Sequence, residues 1–171
     1  MKTKIAIQGE LGAYSHLAAK EIFGDVDILP CKTFENVFAL IKSDTNIKTV
    51  IPIENSLAGR VVDVHSLLVK YKPKIIREHF LRIEHCLLSN LSSDINKVKY
   101  VKSHSHAISQ CQKNIHSKNL TPVITADTAG SAKLLSENPD DTIAVIASSI
   151  SAEIYKLKIL QNNFEDMKGN T

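Results

Sequence analysis

Tryptophan is absent from the 171 residues, and aromatic side chains make up only 5% of them. Proteins that grip single-stranded nucleic acid stack its bases on aromatic rings, so this scarcity argues against a nucleic-acid partner. Long apolar runs are missing too. Nothing approaches the roughly 18 residues that a membrane-spanning helix needs, so no membrane partner is expected. Cysteine is sparse and unpatterned: Cys31, Cys86 and Cys111 are an odd number at wide spacing with no CxxC. That encodes neither a disulfide framework nor a zinc knuckle. The opening MKTKIAIQGE holds only Ile5-Ala6-Ile7 as an apolar run. A signal peptide needs an apolar segment of about 7–15 residues, so a cytoplasmic protein that starts directly on a strand is expected.

What is present fits a folded domain. The chain is 43% hydrophobic and 23% charged, close to the average for globular proteins and far from disordered, collagen-like or coiled-coil composition. A chain of this length buries roughly 70% of its unfolded surface, enough for one domain or two small lobes. Lys and Arg exceed Asp and Glu by 21 to 18. The excess is local: between Lys70 and Lys102 eight basic residues meet three acidic ones, which leaves the rest of the chain at −2. These charges are interleaved with Ile, Leu and His, the pattern of a solvated face rather than a dedicated anion patch.

The hydrophobic rhythm alternates strand and helix. Strands are expected at Lys4 to Gln8, Val26 to Pro30 and Thr49 to Ile53, with helices to about Phe23, from Thr33, and over Leu57 to Tyr71. Thr33 reads as an N-cap ahead of Phe34, Val37, Phe38 and Ile41, spaced for one helix face. After Pro73 the rhythm breaks, and Lys74 to Ser89 reads as long strand structure crossing to a second lobe. Asn90 to Asn96 is a polar loop. Strands then follow at Val98 to Val101, Pro122 to Thr125 and Ile143 to Ala147, with helices over His104 to His116, Thr128 to Glu137 and through Tyr155. This is an α/β fold of two lobes with a ligand cleft between them. Lobe one covers about 1–75 plus 158–171, and lobe two about 76–157.

Ligands of open α/β sheets bind beyond the carboxyl ends of the strands. Those ends are rich here in small hydrogen-bonding residues: Gly9, Gly12 and Ser15; Glu54-Asn55-Ser56; Ser103-His104-Ser105-His106; Asp127-Thr128. Each precedes a helix whose first turn leaves N–H groups free. Any one of these residues could be a plain N-cap, but the four together point to a shared pocket for a small anion. GELGAYS lacks the GK[ST] ending and GxGxxG spacing of nucleotide loops. No GxSxG elbow surrounds the Ser/His pair, no carboxylate cluster joins the His-x-His to make a metal site, and His85-Cys86 reads as a buried structural pair.

At these strand ends the sequence resembles the prephenate dehydratase family. GELGAYS (9–15) is similar to the family's GPxGTFS, VIPIENSLAGRV (50–61) to VPIENSxxGxV, and EHCLLS (84–89) to HxCLL. SHSHAISQC (103–111) resembles SHPxAxxQC, ADTAGSAK (126–133) resembles DTAxAA, and AVIASSISAEIYKLKIL (144–160) follows AAIASxxAAxxYGLxIL. The six matches run in order along nearly the whole chain.

The resemblance implies a two-lobed fold like that of type II periplasmic binding proteins. It also implies conversion of prephenate to phenylpyruvate in L-phenylalanine biosynthesis, with no cofactor and no metal. The implied substrate-binding residues are Ser15, Glu54, Asn55, Ser56, Ser103, His104, Thr128 and Ala129, and the implied assembly is a homodimer or homotetramer. Three positions depart from the pattern: Ala13 stands for Thr, Ser105 for Pro and Lys156 for Gly. The family closes this domain with NxTRF, whose Thr assists departure of hydroxide and whose Arg binds substrate. Asn170 matches the Asn, so that Thr and Arg are expected just after Thr171; a one-residue slip would make Thr171 the Thr. No regulatory ACT domain is present in these 171 residues. The reading of a different class is a two-lobed module that binds a small dicarboxylate without chemistry.

Overall fold

The computed structural model describes residues 2–171 and divides the chain into two compact units, Met1–Arg82 with Thr171, and Ile83–Asn170. Among the described residues no helix is long and apolar enough to cross a membrane.

The first unit is built on a three-stranded parallel sheet in the order β2-β1-β3, from β1 (Thr3–Gln8), β2 (Val26–Cys31) and β3 (Lys48–Thr49). Strand side chains alternate between faces. Ile5 and Ile7 therefore pack with Ala19 of α1 (Tyr14–Phe23), while Ala6 packs with Val37 of α2 (Phe34–Ser43). Thr33 caps α2 as expected, its hydroxyl accepting the Asn36 N–H at 3.1 Å. Phe38 of α2 meets Val64 and Leu67 of α3 (Val62–Tyr71) in a small third cluster.

The second unit carries a mixed five-stranded sheet in the order β10-β6-β9-β7-β8. Its strands are β6 (Cys86–Ser89), β7 (Tyr100–His104), β8 (Thr121–Thr125), β9 (Ile143–Ala147) and β10 (Lys158–Gln161). Strands β7, β8 and β9 run parallel, so their carboxyl ends share one edge. Leu87, Val101, Ala144 and Ile146 face α4 (Ser105–Gln110), α5 (Gln112–Ser117) and Phe164. Cys86, Leu88, Val145 and Ala147 face α6 (Thr128–Glu137) and α7 (Ser149–Tyr155).

Several expectations need correction. Residues 158–170 belong to the second unit, because β10 pairs antiparallel with β6; only Thr171 belongs to the first. The helix expected from Leu57 begins at Val62, because Asn55 Oδ1 accepts the N–H groups of Leu57 and Ala58 and holds a hairpin between β4 (Glu54–Asn55) and β5 (Gly59–Arg60). Gly59, at φ +82°, takes a conformation that suits glycine. Residues 50–53 join no strand, and of the long strand expected over 74–89 only Cys86–Ser89 pairs. The single helix over 104–116 is two, broken at Cys111, whose φ −122° and ψ 16° lie outside the helical region.

Ile146 is fully buried between helices and sheet, so Ile146→Ala should cost about 2–5 kcal/mol in urea unfolding. Ile124→Ala, 68% exposed on the edge strand β8, should change stability by no more than about 0.5 kcal/mol.

Candidate functional site

In the first unit the loop after β1 turns through Gly9 and Gly12, at φ +98° and +90°. The Gly12 N–H donates to His16 Nδ1 at 3.1 Å, which folds the turn onto the first turn of α1. Burial, then Lys20, hold the His16 pKa down, consistent with an imidazole that accepts at Nδ1. Ser15 lies half-buried in that turn of helix. Ala13 sits at the N-cap in extended geometry and supplies no side-chain bond, so the departure from Thr removes a cap.

Glu54, Asn55 and Ser56 occupy the β4–β5 hairpin. The Asn55 carbonyl is spent on the turn, leaving its amide N–H₂ for a ligand. Glu54 and Ser56 are exposed. The Ser56 N–H donates to the Thr171 carbonyl at 2.9 Å, and the Thr171 N–H donates to Ser56 Oγ at 3.0 Å. Thr171 thus lies against the Glu-Asn-Ser turn. A cavity of about 500 Å³ beside β1 and β2 is lined by Lys32 and Thr33 but also by Glu35 and Asp63, an unfavourable lining for a dianion.

In the second unit His104 ends β7 opposite Thr125 of β8 and caps α4. Its Nδ1 accepts the His106 N–H at 3.3 Å, and the two rings meet edge to face at 4.9 Å between centroids. Burial and then His106 lower the His104 pKa, against the opposing pull of Asp127. A neutral imidazole that accepts at Nδ1 carries its proton on Nε2, so His104 offers an uncharged donor. Thr128 is half-buried at the start of α6, which Asp127 caps through the Gly130 N–H. Helix α6 has ten residues, enough to add an end charge, whereas α4 and α7 have six and seven and contribute mainly their caps.

Two expected ligands are corrected here. Ser103 is wholly buried and donates its hydroxyl to the Ile146 carbonyl at 2.6 Å, so it ties β7 to β9. Ala129 has no exposed surface, so neither its methyl group nor its N–H reaches solvent. Their short side chains at a strand end and a helix start look alike in sequence whether they face inward or outward.

A buried polar network was only half legible. His85 Nε2 donates to Gln110 Oε1 at 3.0 Å, and Asn170 Nδ2 donates to the same oxygen at 2.9 Å. The His85 N–H donates to Glu165 Oε2, the Ile83 N–H to the Asn170 carbonyl, and the Lys113 and Asn114 N–H groups to Asp166. The resembling segments EHCLLS and SHSHAISQC therefore supply His85 and Gln110 as anchors for the segment that ends at Asn170. His85 is 3% exposed, in line with its reading as structural, and burial lowers its pKa. Its neighbour Cys86 is buried with its thiol pushed up to about 11, and burial raises that of Cys111 further.

The family model for prephenate dehydratase matches residues 5–171. The chain belongs to the prephenate dehydratase family. It is 38% identical over 98% of its length to the bifunctional N-acyl-homoserine lactone acylase/prephenate dehydratase of Komagataeibacter europaeus, spanning 59% of that protein. It is 39% identical over 93% of its length to the prephenate dehydratase of Methanocaldococcus jannaschii, spanning 58% of it. The structure of the Arthrobacter aurescens prephenate dehydratase in complex with L-Phe superimposes with a TM-score of 0.88, covering 98% of this chain and 57% of that one; at 22% identity the likeness is one of fold. The chain thus spans a little under 60% of each of these prephenate dehydratases.

Two outcomes follow from the local chemistry. His16, His85 and His104 all have folded-state pKa values below the usual 6.5, so their contribution to stability is complete above that pH and is lost as pH falls. Urea midpoints should be level between pH 7 and 8 and drop between pH 6.5 and 5, with a shallower drop in His85→Gln. Ala13→Thr should stabilise the protein by about 1 kcal/mol in the same assay.

Proposed function

We propose that this protein is a prephenate dehydratase that converts prephenate to phenylpyruvate. The observation that carries the reading is where the family-like segments fall. GELGAYS follows β1, Glu54-Asn55-Ser56 forms the hairpin after β3, SHSHA closes β7 and opens α4, and Asp127-Thr128 follows β8. These are the positions from which an α/β sheet presents ligands.

In the reaction the bond from ring carbon to carboxylate breaks and releases carbon dioxide. Its electron pair enters the ring, and the ring C–O bond breaks as hydroxide leaves and takes a proton to become water. Aromatisation supplies the driving force. The protein's task is to hold two carboxylates and donate a proton or hydrogen bond to the departing oxygen. Ser15, the Asn55 amide and Ser56 are the donors proposed in the first unit, with Glu54 shaping the same wall. His104 Nε2–H and Thr128 are those proposed in the second. Neutral donors suit a dianion here, because each can bind without the desolvation cost of a buried cation. Assembly as a homodimer or homotetramer belongs to the same reading.

Residues 1–171 contain no Thr-Arg-Phe. Expressed alone, they should turn prephenate over far more slowly than the same chain extended by that motif, followed by phenylpyruvate absorbance in alkali. Equal and ordinary rates for both would remove the need for the motif. Calorimetric binding of prephenate with no turnover by the extended chain would favour a binding module instead.

A further inference from the structure

The side chain at 106 falls at the unspecified position of the segment that resembles SHPxAxxQC, so the resemblance gives it no task. Its surroundings give it one. Its backbone N–H donates to His104 Nδ1, and its ring stands edge-on to the His104 ring at 4.9 Å between centroids. His106 is itself exposed, on the second residue of α4, while His104 is half-buried at the end of β7. The charged and titratable groups acting on His104 are His106 from its own helix and Asp127 from the cap of α6. Asp127 favours an imidazolium at 104. His106 and burial oppose it.

A second proton on His104 would occupy Nδ1 and face the His106 N–H donor to donor, ending that cap. The neutral ring keeps the cap and directs Nε2–H away from it. We infer that His106 is a positioning residue that holds His104 neutral and in its Nε2-protonated form, a fixed uncharged donor at the carboxyl edge of β7. The inference extends the dehydratase reading by giving His104 its required state, and it rests on that reading only for the ligand.

Two variants of the full-length protein separate the ring from the backbone donor. His106→Ala removes the ring and keeps the N–H. His106→Pro removes both, at a first-turn position where proline is tolerated. In ¹H–¹⁵N spectra of the imidazoles, wild-type His104 should be the Nε2–H tautomer and titrate below the ordinary histidine range. His106→Ala should keep that tautomer but titrate at higher pH, and His106→Pro should in addition populate the Nδ1–H form. A His104 midpoint and tautomer unchanged in both variants overturn the inference.

With prephenate as the probe, the acid limb of kcat/KM should move upward in His106→Ala by the same interval as the NMR midpoint, with the plateau above it unchanged. An NMR shift with no upward movement of that limb overturns the functional part of the inference. If the NMR changes appear as expected but the wild-type protein neither binds nor consumes prephenate, the dehydratase reading falls and the role of His106 stands.

Discussion

One side-chain carbonyl, Gln110 Oε1, accepts from both His85 and Asn170 and so ties the final segment of the second unit to the rest of that unit. The three groups come from the approach to β6, the end of α4 and the final segment, so the contact joins chain stretches far apart in sequence. Such a node is energetically asymmetric. Satisfied, it adds about 1 kcal/mol per bond; with one partner lost, the remaining buried groups carry a desolvation penalty of about 1–3 kcal/mol each. Phe164 packing among Leu87, Ile108 and Ile115, and Asp166 closing the start of α5, reinforce the same anchoring.

The regular elements were legible where local signals sufficed. Thr33 ahead of an i, i+3, i+4, i+7 stripe marked α2, and Asp127 before Thr128 with Asn138-Pro139 after Glu137 marked the two ends of α6. The β-branched run Ile143–Ala147 became β9 without adjustment. Errors arose where pairing decides. Lys74 to Ile83 has the composition of a strand, yet a strand needs a neighbour in register, and composition does not name one. Strand β10 was missed for the converse reason: four residues become a strand because β6 lies beside them.

The site was legible as a set of positions and less so as a set of roles. His104 and Thr128 stand at strand ends or helix starts, as their spacing implied. Ser103 and Ala129, each adjacent to one of them, turn inward. A one-residue step along a strand reverses the face a side chain occupies, and one along a helix turns it by about 100°, so neighbouring motif residues divide between surface and core. The Glu-Asn-Ser segment was misread as the approach to a helix because a hairpin held by one Asn side chain carries little hydrophobic periodicity.

The cysteines bear on how the molecule can be handled chemically. Thiolate is the reactive form of cysteine, and burial raises the thiol pKa at all three positions, to about 11 at Cys86. At neutral pH their reactive fractions are small, and Cys86 and Cys111 are also shielded from reagents by the core. The native background toward alkylating dyes therefore falls mainly on the half-buried Cys31. A single cysteine introduced on an exposed surface would compete with Cys31 alone, so a spectroscopic label needs only that natural thiol replaced.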